Sequence, residues 1–151
     1  MADSTPDFDG ALNHCPACRQ ELPMESPAAL GDAPCPHCGQ FLWFVRKRVG
    51  SAVVLTVLPG LISGSEALQR AGEIMTAAGN APRLVLNLGH LRLISSMFLG
   101  MLIVVYRRML RAERTLKLCG LSGDNLEPFR ITKLDWLFDI HDNEQQALVN
   151  S

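Results

Sequence analysis

Apolar runs alternate with polar stretches along this chain, and the spacing of the apolar positions changes from one run to the next. Ala52 to Leu58 is nearly continuous in apolar character, as a strand buried on both faces requires. Arg83 to Leu88 reads the same way. Thr115 to Cys119 and Leu137 to Ile140 give two shorter strands, and Phe41 to Val45 gives a first one. Arg46 to Ser51, a basic run with a Val49-Gly50 turn, joins the first strand to the second.

Between the strands the period lengthens to that of a helix. Ser63-Gly64-Ser65-Glu66 is a capping box, whose serine and glutamate satisfy free backbone N–H groups at a helix start. Leu68, Ala71, Met75 and Ala78 follow as an inner stripe, and Gly79 ends the helix. A second helix is predicted from near Ser96 to about Arg114. Asp124 can cap a short third helix, and Asn143 begins a last one. Strand and helix in alternation predict an α/β domain with a mostly parallel sheet and packed helices.

Composition agrees with a folded chain. Of 151 residues, 48% are hydrophobic and 19% charged, enough apolar material for a core and too much for a disordered chain. The net charge of -1 argues against a general binder of nucleic acid or membrane surfaces. That total hides an asymmetry: residues 1–43 hold six acidic groups and Arg19 alone, a balance of -5, and the remainder balances at +4. Two modules are implied. Met1 to Gly10 has neither the basic start nor the apolar run of a secretory leader. Leu99 to Tyr106 is too short for a bilayer, which needs roughly 20 residues. The expected location is the cytoplasm.

The cysteines define the smaller module. Cys15-Pro16-Ala17-Cys18 and Cys35-Pro36-His37-Cys38 are two pairs separated by sixteen residues, the spacing of a four-cysteine zinc ribbon. Two intervening residues let both thiolates of a tight turn face one tetrahedral ion, and a second turn completes the set. Such a site has no open position, so the Zn2+ would be structural and supply much of the folding free energy of so small a unit. The competing readings are a redox pair or two disulfides; a reducing cytosol disfavours disulfides, and one such motif would suffice for redox chemistry. His14 and His37 stand beside ligands and can replace one. The expected division is a disordered tail over residues 1–13, a zinc ribbon over 14–40 and the larger domain over 41–151.

In the larger domain a series of segments carries a resemblance. Leu58-Pro59-Gly60 ends the second strand and Leu84 to Leu88 forms the third. Then come Leu93 to Gly100, Leu116 to Leu121, Leu134 to Phe138, Ile140 and Glu144 to Leu148. In this order, from about Phe44 to Val149, the chain resembles the STAS family, the domain of bacterial anti-sigma factor antagonists and of sulfate-transporter tails. The resemblance implies a STAS-like fold and a partner-switching role in transcription regulation. The implied partner is an anti-sigma factor or a serine-kinase-type regulator.

Relatives carry a phosphorylated serine just before the second helix. Aligned on Leu99-Gly100, that position is Ser96, and Ser95, Met97 and Phe98 complete the implied partner-binding stretch. The resemblance would put acids at Ser95 and Asn87 and a glycine at Phe98. An exposed Phe98 would anchor a partner, and a buried one would pack into the domain. A phosphate at a helix start would meet the positive end of the helix dipole, and the plain alternative is that Ser96 is an N-cap.

Other residues read as structure. Arg107, Arg108, Arg111 and Arg114 with Lys117 suggest a solvated basic face, or a surface for an acidic partner. Cys119 belongs to a core strand, His90 and His141 to loops, and Trp43 and Trp136 to packing at the domain ends. No catalytic constellation is visible, so no enzyme is expected. Two further functions stay open: a nucleic-acid or protein adaptor acting through the zinc ribbon, and a ligand sensor. Acidity of residues 1–43 weighs against nucleic acid, because phosphate binding wants Lys and Arg.

Overall fold

The computed structural model describes residues 14, 15, 18, 38, 43–58, 67–91, 94–121 and 123–149. The expected tail, the Ser63–Glu66 capping box, Cys35 and His37 lie outside them. Strand β1 (Phe44–Val49) pairs antiparallel with β2 (Ala52–Val57), from Phe44 opposite Val57 to Val49 opposite Ala52. The strand thus runs on past the expected end at Val45 to Val49, and Phe41 and Leu42 lie outside the described residues. Two residues close the hairpin, and Gly50 supplies the positive φ of 61° that so tight a turn demands. The basic run thus stands inside a strand. An edge strand tolerates it, because long stems cover apolar surface while the charged heads find partners. Arg46 Nε donates to the Ala77 carbonyl at 2.8 Å, and Lys47 Nζ lies 2.8 Å from Glu144.

Strands β3 (Arg83–Asn87), β4 (Thr115–Cys119) and β5 (Asp139–His141) continue the sheet in the order β1-β2-β3-β4-β5, parallel from β2 onward. The largely parallel α/β architecture is as the alternation of elements implied. Helices α1 (Ala67–Ala78) and α2 (Ser96–Arg111) cover the face carrying Val53, Leu55, Val57, Leu84, Leu86, Leu116 and Leu118, and form the main core. Helix α4 (Glu144–Val149) lays Ala147 and Leu148 on the other face, against Val54, Val85 and Cys119. No helix among the described residues is long and apolar enough to cross a membrane.

Several details differ from the sequence pattern. The buried stripe of α1 is Ala71, Ile74 and Ala78, and Leu68 is 67% exposed. At about 100° per residue, Leu68 lies roughly a quarter-turn from the centre of that stripe. Helix α2 stops at Arg111, because Glu113 adopts a left-handed φ of 58°. Arg114 then turns aside to donate to the carbonyls of Ala81 and Gly79, at 2.7 and 2.9 Å. Asp124 falls in a 3-10 turn (Gly123–Asn125), and helix α3 (Glu127–Ile131) carries Pro128, whose fixed φ suits a first turn, and has no side-chain cap. The last strand is displaced from Leu137–Ile140 because Leu134–Trp136 forms a further short turn.

Three side-chain expectations are corrected with it. Trp136 is 87% exposed, since Phe138 takes the packing position, edge-on to both Tyr106 and Phe129. His141 is in β5, 3.0 Å from Asp139, and not in a loop. Lys117 does not join the basic face of α2. It is buried on the α4 side of β4, its ammonium 3.7 Å from Asp139, because the alternation of β4 points it opposite to Leu116 and Leu118. Trp43 is buried, as expected, and donates to Glu73 at 2.6 Å.

Candidate functional site

The carboxyl ends of the parallel strands carry the loops that set the start of α2. Leu88 N–H donates to Cys119 O at 2.9 Å, and Asn125 Nδ2 donates to Leu91 O at 2.7 Å, so the loops after β3 and β4 are tied together. Asn87 does double duty. Its Oδ1 accepts from Gly89 N–H at 2.9 Å, and its amide donates to Glu144 at 2.6 Å. A neutral amide fits here where a second carboxylate facing Glu144 would be repelled.

From this frame the chain enters α2. Ser95 is the N-cap, extended at φ -89° and ψ 164°, and its hydroxyl oxygen accepts the Phe98 N–H at 3.1 Å. Capping is therefore the work of Ser95, and Ser96, the first helical residue, keeps its side chain exposed. Met97 is half-buried, and Phe98 is 3% exposed within the main core. Of the four residues expected at a partner surface, Ser95 and Ser96 are thus exposed, Met97 is half-buried and Phe98 is buried. The first turn of α2 holds no acidic side chain, which leaves the positive dipole end unopposed, and Arg108 and Arg111 complement the other end.

A second cluster stands beside β1, at an edge of the sheet. The sulfur atoms of Cys15, Cys18 and Cys38 lie within 4.8 Å of one another and can hold a metal ion. The Sγ atoms of Cys15 and Cys38 are 3.7 Å apart, and tetrahedral Zn–S bonds of about 2.3 Å imply a separation of about 3.8 Å. The Cys18 N–H points at Cys15 Sγ at 3.4 Å. Cys35, the fourth cysteine of the motif, lies outside the described residues. Among the described residues the cluster consists of cysteines only, and His14 joins this edge through its backbone.

The sequence model of the STAS domain matches residues 46–147. The chain belongs to the STAS domain family. Solved structures share the fold. A proposed anti-sigma factor antagonist from Thermotoga maritima superimposes with a TM-score of 0.64 at 17% identity, covering 71% of this chain and 92% of that one. An anti-sigma factor antagonist from Mycobacterium paratuberculosis gives 0.60 at 22%, covering 71% and 91%. The anti-sigma factor antagonist SpoIIAA in its unphosphorylated form gives 0.53 at 18%, covering 71% and 93%. At these identities the likeness is one of fold. No curated protein matches the chain.

Within the STAS domain Cys119 is fully buried, the core residue that its strand implied. Burial, and next the charge of Glu144, push its thiol up from 9.0 to about 12, partly offset by Lys47. It is no nucleophile at neutral pH. At pH 8 it resists iodoacetamide in the native protein and reacts after denaturation; rapid native alkylation would contradict the burial. The sign of the linkage follows. Below pH 9 the thiol is protonated in both states, and between 9 and 12 the unfolded chain alone loses the proton, so this group removes stability only as pH rises above 9.

Two features of the STAS domain escaped the sequence. Glu144 joins Lys47 and Asn87 across the α4 face, and its one available signal is an acid in the first turn of a helix. Ile131, Trp136 and Leu137 are exposed, and no periodicity distinguishes them from core residues.

Proposed function

We propose that this protein is a partner-switching regulator of the anti-sigma factor antagonist type. It would bind an anti-sigma factor or a serine-kinase-type regulator around Ser95, Ser96 and Met97. The activity is binding, with no reaction of its own. The observation that carries the reading is the division of labour between two serines: Ser95 caps α2, and Ser96 presents a hydroxyl to solvent at the positive end of the helix. Phosphorylation there adds about 1.5 to 2 negative charges where the dipole receives them, without disturbing the cap. A partner packed on this surface would then have to bury a phosphate and would leave. The fold shared with an antagonist solved in its unphosphorylated form supports this reading.

The same proposal assigns Zn2+ to the cysteine module, over residues 14–40, as a structural ion held by Cys15, Cys18, Cys35 and Cys38. The 3.7 Å sulfur separation and the paired motif support it. Residues 41–151 form the regulatory STAS domain, and the chain acts in the cytoplasm.

The test is to incubate the protein with ATP and the serine kinases of its own genome, then map phosphate by mass spectrometry. Phosphate on Ser96, lost in Ser96→Ala, is the expected result. A chain left unmodified by every such kinase, and forming no complex with any of them, would remove the proposal.

A further inference from the structure

Strand β1 is one edge of the sheet, and an edge strand presents N–H and C=O groups that no neighbouring strand pairs. At one point it is closed by the chain itself. His14 N–H donates to Arg46 O at 2.6 Å, and Arg46 N–H donates to His14 O at 3.0 Å, an antiparallel bridge across the outer side of β1. The next residue, Cys15, is fully buried in a small apolar cluster with Val45 of β1 and Leu58 at the end of β2, with Cys18 packed against it. A metal ligand is thus part of the domain's own packing. Charge favours the same contact, because residues 1–43 balance at -5 and β1 carries Arg46, Lys47 and Arg48.

From these contacts we infer that the thiolate cluster is a metal-dependent latch on the sheet edge. The ion held by Cys15, Cys18 and Cys38 fixes the chain at His14 against Arg46. Metal loading therefore decides whether β1 is closed or open. The latch rests on the zinc assignment above and is independent of what happens at Ser96. A zinc ribbon tethered beside the domain, with no hold on it, is the arrangement this excludes.

The reason is geometric. Two knuckle segments have little apolar surface with which to hold each other, so the ion is what fixes their mutual position. Without it, one bridge and one buried cysteine must hold the segment. Each hydrogen bond contributes only about 1 kcal/mol net, set against the entropy of ordering the chain. With the ion bound, that ordering is already done when His14 meets the strand.

Amide hydrogen exchange on the full chain, followed by NMR with and without zinc, reads this out one residue at a time. Arg46 points its N–H outward to His14, whereas by alternation Val45 and Lys47 point theirs inward to β2. Removing zinc should speed exchange at Arg46 by about tenfold or more, while Val45, Lys47 and the amides of β3 and β4 keep their protection. Cys38→Ala removes a ligand that stands exposed, outside the Cys15 cluster, and should give the same pattern in zinc-containing buffer. One zinc per chain with an unchanged Arg46 rate on its removal would overturn the latch and leave the zinc assignment standing. A chain that takes up no zinc would overturn both. Loss of protection throughout β1 to β4 would mean that the ion holds the whole domain, which also contradicts a local latch.

Discussion

Gly120→Ala is expected to cost about 2–4 kcal/mol, read as a lower midpoint of urea unfolding at unchanged slope. Gly120 sits at φ +86°, where a side chain is strained whatever the space around it. Here there is no space either: a Cβ would lie 2.6 Å from Gly89 N, 2.8 Å from Gly89 Cα and 2.9 Å from Asn87 Oδ1. Backbone atoms cannot rotate out of the way, and displacing them pulls Leu88 from Cys119 O and Asn87 from Glu144. Gly123→Ala is the control for conformation alone, because its φ is +51° with nothing within 4 Å. It should cost about 1 kcal/mol. Equal effects at the two positions would show that the close approach of the two loops contributes nothing.

Phe98→Ala carries the other large effect, about 3–5 kcal/mol, the usual cost of emptying a buried aromatic site. The ring is 3% exposed in the main core with Leu99, Met101 and Leu102, on the turn of α2 next to Ser96. The Phe98 N–H bonds the Ser95 hydroxyl through backbone, so the cap survives the substitution. The variant should lose stability in proportion to the cavity and still bind a partner wherever it remains folded. Stability within about 1 kcal/mol of wild type, together with lost binding, would instead make the ring a surface anchor. Where relatives are expected to carry glycine, this chain fills the position from within.

How much of this was legible in the sequence depended on whether a signal was local. Strands β2 and β3 announce themselves as apolar runs because they are covered on both faces, and the positive-φ glycines at 50 and 79 mark the turn and helix end that they close. Strand β1 runs beyond its expected end because it is an edge. Its later residues are basic, and only pairing with β2 shows that they continue the strand. Lys117 and Trp136 failed for opposite reasons: the pleat buries one charged chain, and Phe138 displaces one aromatic ring. The four-cysteine motif was plain in its spacing, yet nothing in the sequence said that His14 would pair with Arg46, since a single bridge between distant segments has no pattern. The two serines before α2 were legible as a pair. Their division of labour was not, because which one caps is settled by the extended backbone at Ser95 and not by residue type.

The central claim is that Ser96 controls a partner, and calorimetric titration of that partner with two forms of the chain tests it most directly. The unmodified protein should bind the anti-sigma factor or serine-kinase-type regulator. The Ser96-phosphorylated form should bind about 100-fold more weakly, a difference of about 2.7 kcal/mol, and Ser96→Ala should bind like the unmodified protein. Equal affinity of the phosphorylated and unmodified forms would contradict the account, because a dianion at the exposed start of α2 would then lie outside the surface that the partner covers.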